Sequence, residues 1–236
     1  MAEPVIPDFG EAGACVTNED ALFCPDWVRD NWDPVLQPAL VQHVKLTVIA
    51  VGIGFVVSLL AALAAHRLRH VERPFAFASA VIYTIPSLAL FQLLVPFTGL
   101  TVTTVEIALV GYTLLILFRN ILEGLRSAPP EVLEAARGMG LTPTQTLFRV
   151  ELPLAVPAIV AGVRVAVVST IALATVAAFV VSQGLGGPIL GALRLGFKTE
   201  IIAAGGLAVA LAIVADGLLV LVQRLVTPWA AARRTA

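Results

Sequence analysis

Residues 134–153 read EAARGMGLTPTQTLFRVELP, a polar island in a chain that is otherwise mostly compatible with lipid. Just upstream, Pro130 stands where the first residue of a helix would, and Glu131 and Glu134 fall in the opening turn. A proline there sacrifices no intrahelical hydrogen bond, and carboxylates interact favourably with the positive end of the helix dipole. Gly138 and Gly140 predict the stop, because glycine readily takes the left-handed conformation of a C-terminal cap. Thr142 predicts a restart, with Pro143 next and Gln145 three residues on, the spacing of a capping box. Pro153 is expected to close the second helix before a long apolar run. The reading is two short helices joined at a sharp bend and held at a membrane surface.

What surrounds the island is apolar. The chain has 236 residues, 58% hydrophobic and 13% charged. Soluble domains carry about a quarter charged residues, so this composition excludes an ordinary soluble enzyme or a nucleic-acid-binding module. Five apolar stretches, near 40–65, 74–97, 102–122, 155–182 and 200–223, each approach the ~20 residues that a bilayer core requires. Gly52, Gly54 and Ser58 in the first are small residues of the kind that let membrane helices approach closely. Pro86 interrupts the second. The fold expected is all-α and transmembrane, with about five spans and a short helical hairpin. Its parts are an acidic tail over 1–35, a membrane domain over 36–228 with the hairpin region at 124–153, and a terminal tail over 229–236.

Charge sets the orientation. Residues 1–35 hold eight carboxylates against the single Arg29, with no basic segment before an apolar core, so no signal peptide is expected. Arg67, Arg69 and Arg73 lie between the first two stretches, Arg126, Arg137 and Arg149 around the hairpin, and Arg233 and Arg234 at the end. Basic residues concentrate on the cytoplasmic side. Five spans then place the N-terminus outside and the C-terminus inside. Cys15 and Cys24 fall in the exported tail, where a disulfide and two free thiols both remain open. Trp27 and Trp32 suit the headgroup level.

The island also resembles a known family. Glu134, Ala135, Ala136, Gly140, Val150, Leu152 and Pro153 match, at each fixed position, the EAA motif of binding-protein-dependent ABC transporter permeases. AVPAIVAGVRVA at 155–166 looks like that family's entry into the next span. TIPSLALF at 84–91 and GLGGPI at 184–189 are similar to permeases for glycine betaine, carnitine and choline. The resemblance implies the transmembrane domain of a type I importer in a prokaryotic inner membrane. Its hairpin would dock on a separate ABC ATP-binding subunit, coupling through Glu134, Ala135, Ala136, Gly140, Leu152 and Pro153. It implies a second permease subunit, identical or homologous, and an extracytoplasmic solute-binding protein. No cofactor is expected on this chain, because ATP and Mg belong to the partner ATPase, and no residue is expected to perform covalent catalysis.

For the solute pathway, the expected residues are Tyr83, Pro86, Ser87, Phe91 and Tyr112. Aromatic faces in a lumen of low charge attract quaternary ammonium cations. Packing or lipid-facing roles remain open for the same side chains. Glu106, Arg119, Arg164 and Asp216 lie in or beside spans near their ends, where pairing or snorkelling is expected. His66 and His70 lack a third ligand, so no metal site is expected. GLGGP at 184–188 lacks the Gly-Lys-Ser/Thr ending of a phosphate loop and reads as a turn. An amino-acid permease, or an ion-driven secondary transporter with Pro86 as a helix break, are the competing readings.

Overall fold

The computed structural model describes residues 22–227, and they are helical throughout, with no strand among them. Cys15, whose bridging to Cys24 the sequence leaves open, and the terminal tail over 229–236 lie outside the described residues, whereas Cys24 is buried. A short helix α1 (Pro25–Asp30) carries Trp27, whose ring stands edge-on to Phe197 with centroids 5.1 Å apart. A π-turn, Trp32–Leu36, then runs without interruption into α2 (Gln37–Arg67). The first apolar helix therefore starts earlier than 40 and extends over 36 residues, Trp32–Arg67.

Small residues explain how α2 packs. Gly54, Ser58, Ala62 and Ala65 form one buried face. A Cβ at Gly54 would lie 1.8 Å from the Thr113 hydroxyl of α5 (Val102–Arg126). Ser58 donates to the Leu114 carbonyl across the same interface at 3.2 Å. Without side chains between them, the two backbones approach to van der Waals distance, the packing that substitutes for a hydrophobic driving force in lipid.

The second apolar stretch is not one straight span. It is two helices, α3 (Arg69–Thr84) and α4 (Ser87–Thr98), bent by 102° at Ile85 and Pro86. A proline disfavours helical torsions in the residue before it, and Ile85 is accordingly extended at φ −67°, ψ 129°. The carbonyl freed at the break is satisfied by the Tyr112 hydroxyl of α5, which donates to Ile85 O. Among the described residues, four helices are long and apolar enough to cross a membrane, and the bent pair makes five.

After α5 come α6 (Pro130–Gly138) and α7 (Pro143–Thr146), a π-turn at Leu147–Glu151, and α8 (Leu152–Val176). Here the expectation for Pro153 is corrected. The proline does not close a helix: it occupies the first turn of α8, and Pro143–Phe179 is one helical run of 37 residues. The physical reason is the π-turn, in which Leu152 N–H bonds back to Leu147 O, five residues away. The extra residue loosens the turn that the proline ring would otherwise crowd.

The stretch 184–188, expected to be a turn, turns only at Gly184 and Leu185, since α9 (Gly186–Leu195) begins within it and ends at Gly196, φ 71°. The last helix, α10 (Lys198–Val226), is the least embedded: only 6% of its apolar window is buried within the chain. Two buried clusters fill the centre, one around Phe91, Leu109 and Tyr112, the other around Phe118, Ile121 and Leu125.

Candidate coupling hairpin and transmembrane cavity

The hairpin is built from backbone rules that its sequence announces. Pro129 is extended and Pro130 opens α6. At the far end Gly140 takes φ +79°, its N–H bonding Arg137 O at 2.9 Å, while Leu141 N–H bonds Ala136 O at 3.1 Å. This pair of bonds is the Schellman arrangement, which the left-handed glycine permits. Thr142 then caps α7: Gln145 N–H donates to its hydroxyl at 3.3 Å, and Thr142 N–H donates to Gln145 Oε1 at 2.9 Å.

Tertiary packing divides the motif residues into two groups. Glu134, Ala135 and Gly140 are exposed. Ala136, grouped in sequence with Ala135 as part of a docking face, is instead 1% exposed and packs inward. Leu152 and Pro153 are half-buried at the root of α8, with Leu152 against the Phe118 cluster. Apolar side chains that the motif does not include, Val132, Met139 and Phe148, stand exposed on the same hairpin. Their only sequence signal is that they are apolar within a polar segment.

Side-chain ties fasten this end of the molecule. His66, at the last turn of α2, lies 2.9 Å from Glu151 in the π-turn. The next residue, Arg67, donates to the Thr144 hydroxyl of α7 at 3.2 Å. Arg126 at the end of α5 grips Glu72 of α3 with both nitrogens, at 3.0 and 2.6 Å. The basic segment between α2 and α3 therefore lies at the same end as the hairpin. None of these pairs is visible in sequence, since their members stand 54 to 85 residues apart.

Deeper in the bundle, the helix break opens a cavity of about 470 Å³. Tyr83, Pro86, Ser87 and Tyr112 line it, together with Thr113 of α5 and Ser169 and Thr170 of α8. No charged side chain is among its described lining. Tyr83 and Tyr112 meet edge-on, centroids 6.0 Å apart at 68°, the arrangement favoured by ring quadrupoles. Phe91 does not belong to this group. Its ring is 0% exposed in the core, because α4 turns that face onto α5 beyond the bend.

At the opposite end from the hairpin, His43 of α2 is completely buried and bonded at both nitrogens. Leu185 N–H donates to Nδ1 at 3.2 Å, so Nε2 carries the proton that reaches Ile171 O at 3.0 Å. Neighbouring Gln42 accepts from Gly184 N–H at 2.9 Å. The glycine-rich turn is thereby held against α2 and α8. Gly184, φ +55°, sits so close that a Cβ would meet His43 Nδ1 at 2.9 Å. Of the four charged residues expected near span ends, Arg164 and Asp216 stand well inside α8 and α10 and pair bidentately at 2.8 and 2.9 Å, joining the two helices. Arg119 is exposed on α5. Both carboxylate oxygens of Glu106 are buried without a hydrogen-bond partner among the described residues.

Comparison with known proteins places these features in context. Residues 54–230 match the family described as the binding-protein-dependent transport system inner membrane component. A choline transport system permease protein of Bacillus subtilis is 34% identical over 188 residues, 79% of this chain and 86% of the relative. A glycine betaine/carnitine/choline transport system permease protein of the same organism is 32% identical over 188 residues, covering 79% and 86%. In fold, the chain is similar to the inward-facing MetNI methionine ABC transporter: TM-score 0.69, 21% identity, 79% of this chain and 93% of that one.

Proposed function

Because the chain belongs to the family of inner membrane components of binding-protein-dependent transport systems, we propose that it forms the pathway for a quaternary ammonium osmoprotectant of the choline, carnitine or glycine betaine class. The observation that carries this reading is the cavity at the helix break. A trimethylammonium group is a large, weakly hydrated cation that is attracted to aromatic ring faces. The Tyr83–Tyr112 pair offers such faces, and the remaining wall is hydroxyl-bearing or apolar, without fixed charge. The names of the two Bacillus relatives support the same class.

The hairpin supplies the other half of the proposal. It docks on a separate ATPase subunit, presenting Glu134 and Ala135 with exposed Val132, Met139 and Phe148. Since Pro143–Phe179 is one helical run, a displacement of the docked hairpin is carried along α8. Thr146 and Ser169 are separated by 23 residues, ~35 Å at 1.5 Å per residue. The far part of that run is the cavity wall at Ser169 and Thr170, and Arg164–Asp216 carries α10 with it. Two such subunits, related by a twofold axis, would alternate between inward- and outward-facing states as rigid bodies. The hairpin end faces the cytoplasm and the His43 end faces a solute-binding protein.

The test is ATP-dependent uptake by the reconstituted complex. Proteoliposomes with the permease, its ATPase and the loaded binding protein should accumulate labelled choline, carnitine or glycine betaine. Tyr83→Leu, at the exposed ring of the pair, should reduce the maximal rate while leaving assembly intact. Uptake of none of the three, with amino-acid uptake instead, would overturn the substrate class.

A further inference from the structure

The segment from His66 to Arg73 contains more positive charge than the fold uses. Its one carboxylate, Glu72, is committed to Arg126 through both oxygens. Arg67 is directed to the hairpin at Thr144. Among the described residues Arg69 and Arg73 form no ion pair of their own, though their charges also act on Glu72, and both are exposed, one helical turn apart on α3. With His70, Glu72 and Arg126 they enclose a concave site of about 620 Å³.

The same stripe of α3 continues in four-residue steps to Phe77, 72% exposed, and Val81, 45% exposed. Two cations followed by two bare apolar side chains, along one face of a helix entering the membrane, match a molecule with an anionic head and a hydrocarbon tail. A soluble anion would match only the first half. We propose that this face of α3 is a site for an acidic phospholipid, its phosphate on Arg69 and Arg73 and an acyl chain along Phe77 and Val81.

The position gives the site a consequence. Glu72–Arg126 joins α3 to α5, and Arg67 follows directly on the His66 that holds the π-turn. A lipid seated there touches the elements that anchor the hairpin, at the depth where acidic headgroups attract basic residues. The inference concerns the lipid alone and holds for any transported solute.

Native mass spectrometry of the assembled transporter, released from nanodiscs of phosphatidylglycerol and phosphatidylcholine, tests it. Wild type should retain phosphatidylglycerol in preference to phosphatidylcholine. Arg69→Gln with Arg73→Gln should reduce that preference roughly thirtyfold, as expected for removing two surface arginines, while Arg224→Gln at the end of α10 should not. Phe77→Asn, with both arginines intact, should weaken retention to a smaller extent, and it decides the question if the double variant fails to assemble. Equal retention in wild type and variants would overturn the site. So would complete displacement of the lipid by millimolar inorganic phosphate, which would mark a soluble-anion site. Loss of the ATPase subunit with lipid retained would assign the patch to a protein interface instead.

Discussion

Replacement of Gly140 tests the hairpin most directly. Its φ of +79° lies in the left-handed region, which costs a non-glycine L-residue roughly 1–2 kcal/mol. A Cβ built there meets nothing within 4 Å, so the penalty arises from the torsion and not from a clash inside the chain. That separation fixes an order. Gly140→Asn should be mildest, because Asn tolerates left-handed torsions, Gly140→Ala intermediate, and Gly140→Val most severe, being β-branched. A cost of about 1.4 kcal/mol is a tenfold fall in the population of the docking-competent hairpin. The assay is ATP hydrolysis stimulated by the loaded binding protein, alongside recovery of the ATPase subunit with the tagged permease. Membrane abundance should stay at wild-type level throughout, since no span is touched. Equal losses for Asn, Ala and Val would refute the reasoning, because contact with the partner surface would then govern and torsion would not. Wild-type coupling in the valine variant would remove the hairpin from the mechanism.

Four further outcomes follow from the same geometry. Asp216→Asn should lower the melting temperature in detergent by leaving Arg164 without its carboxylate, and Arg164→Met with Asp216→Met together should recover part of the loss. Gly162→Val should destabilise by about 1–3 kcal/mol, measured by thermal unfolding, because even its Cβ would stand 2.6 Å from Asn120 Cβ. Tyr112→Phe strands the Ile85 carbonyl at the helix break, a cost of about 1–3 kcal/mol, and should show as faster hydrogen exchange in α3 and α4. His66→Gln should lower solute uptake per ATP hydrolysed while leaving the ATPase bound, since His66 ties α2 to Glu151 and lies off the exposed motif face.

Features that depend on local torsion, hydrogen-bond supply and apolar length are legible in the sequence. Pro130, Gly140, Thr142 and Gln145 each act within a few residues, and each occupies the position its chemistry requires. The apolar stretches were legible because a bilayer demands length, and the break at Pro86 because a proline constrains its predecessor. Pro153 was misread for the converse reason. Whether a proline ends a helix depends on the turn before it, and here that turn is the π-turn at Leu147–Glu151, which no residue type in the segment announces. Tertiary structure alone decided which of Ala135 and Ala136 faces outward, that Phe91 belongs to the core while Tyr83 and Tyr112 reach the cavity, and that His43 carries the glycine-rich turn. It alone joined His66 to Glu151 and Arg164 to Asp216. A torsional preference is a property of one residue and its neighbours. The facing of a side chain and the choice of its partner depend on how helices distant in sequence close against each other.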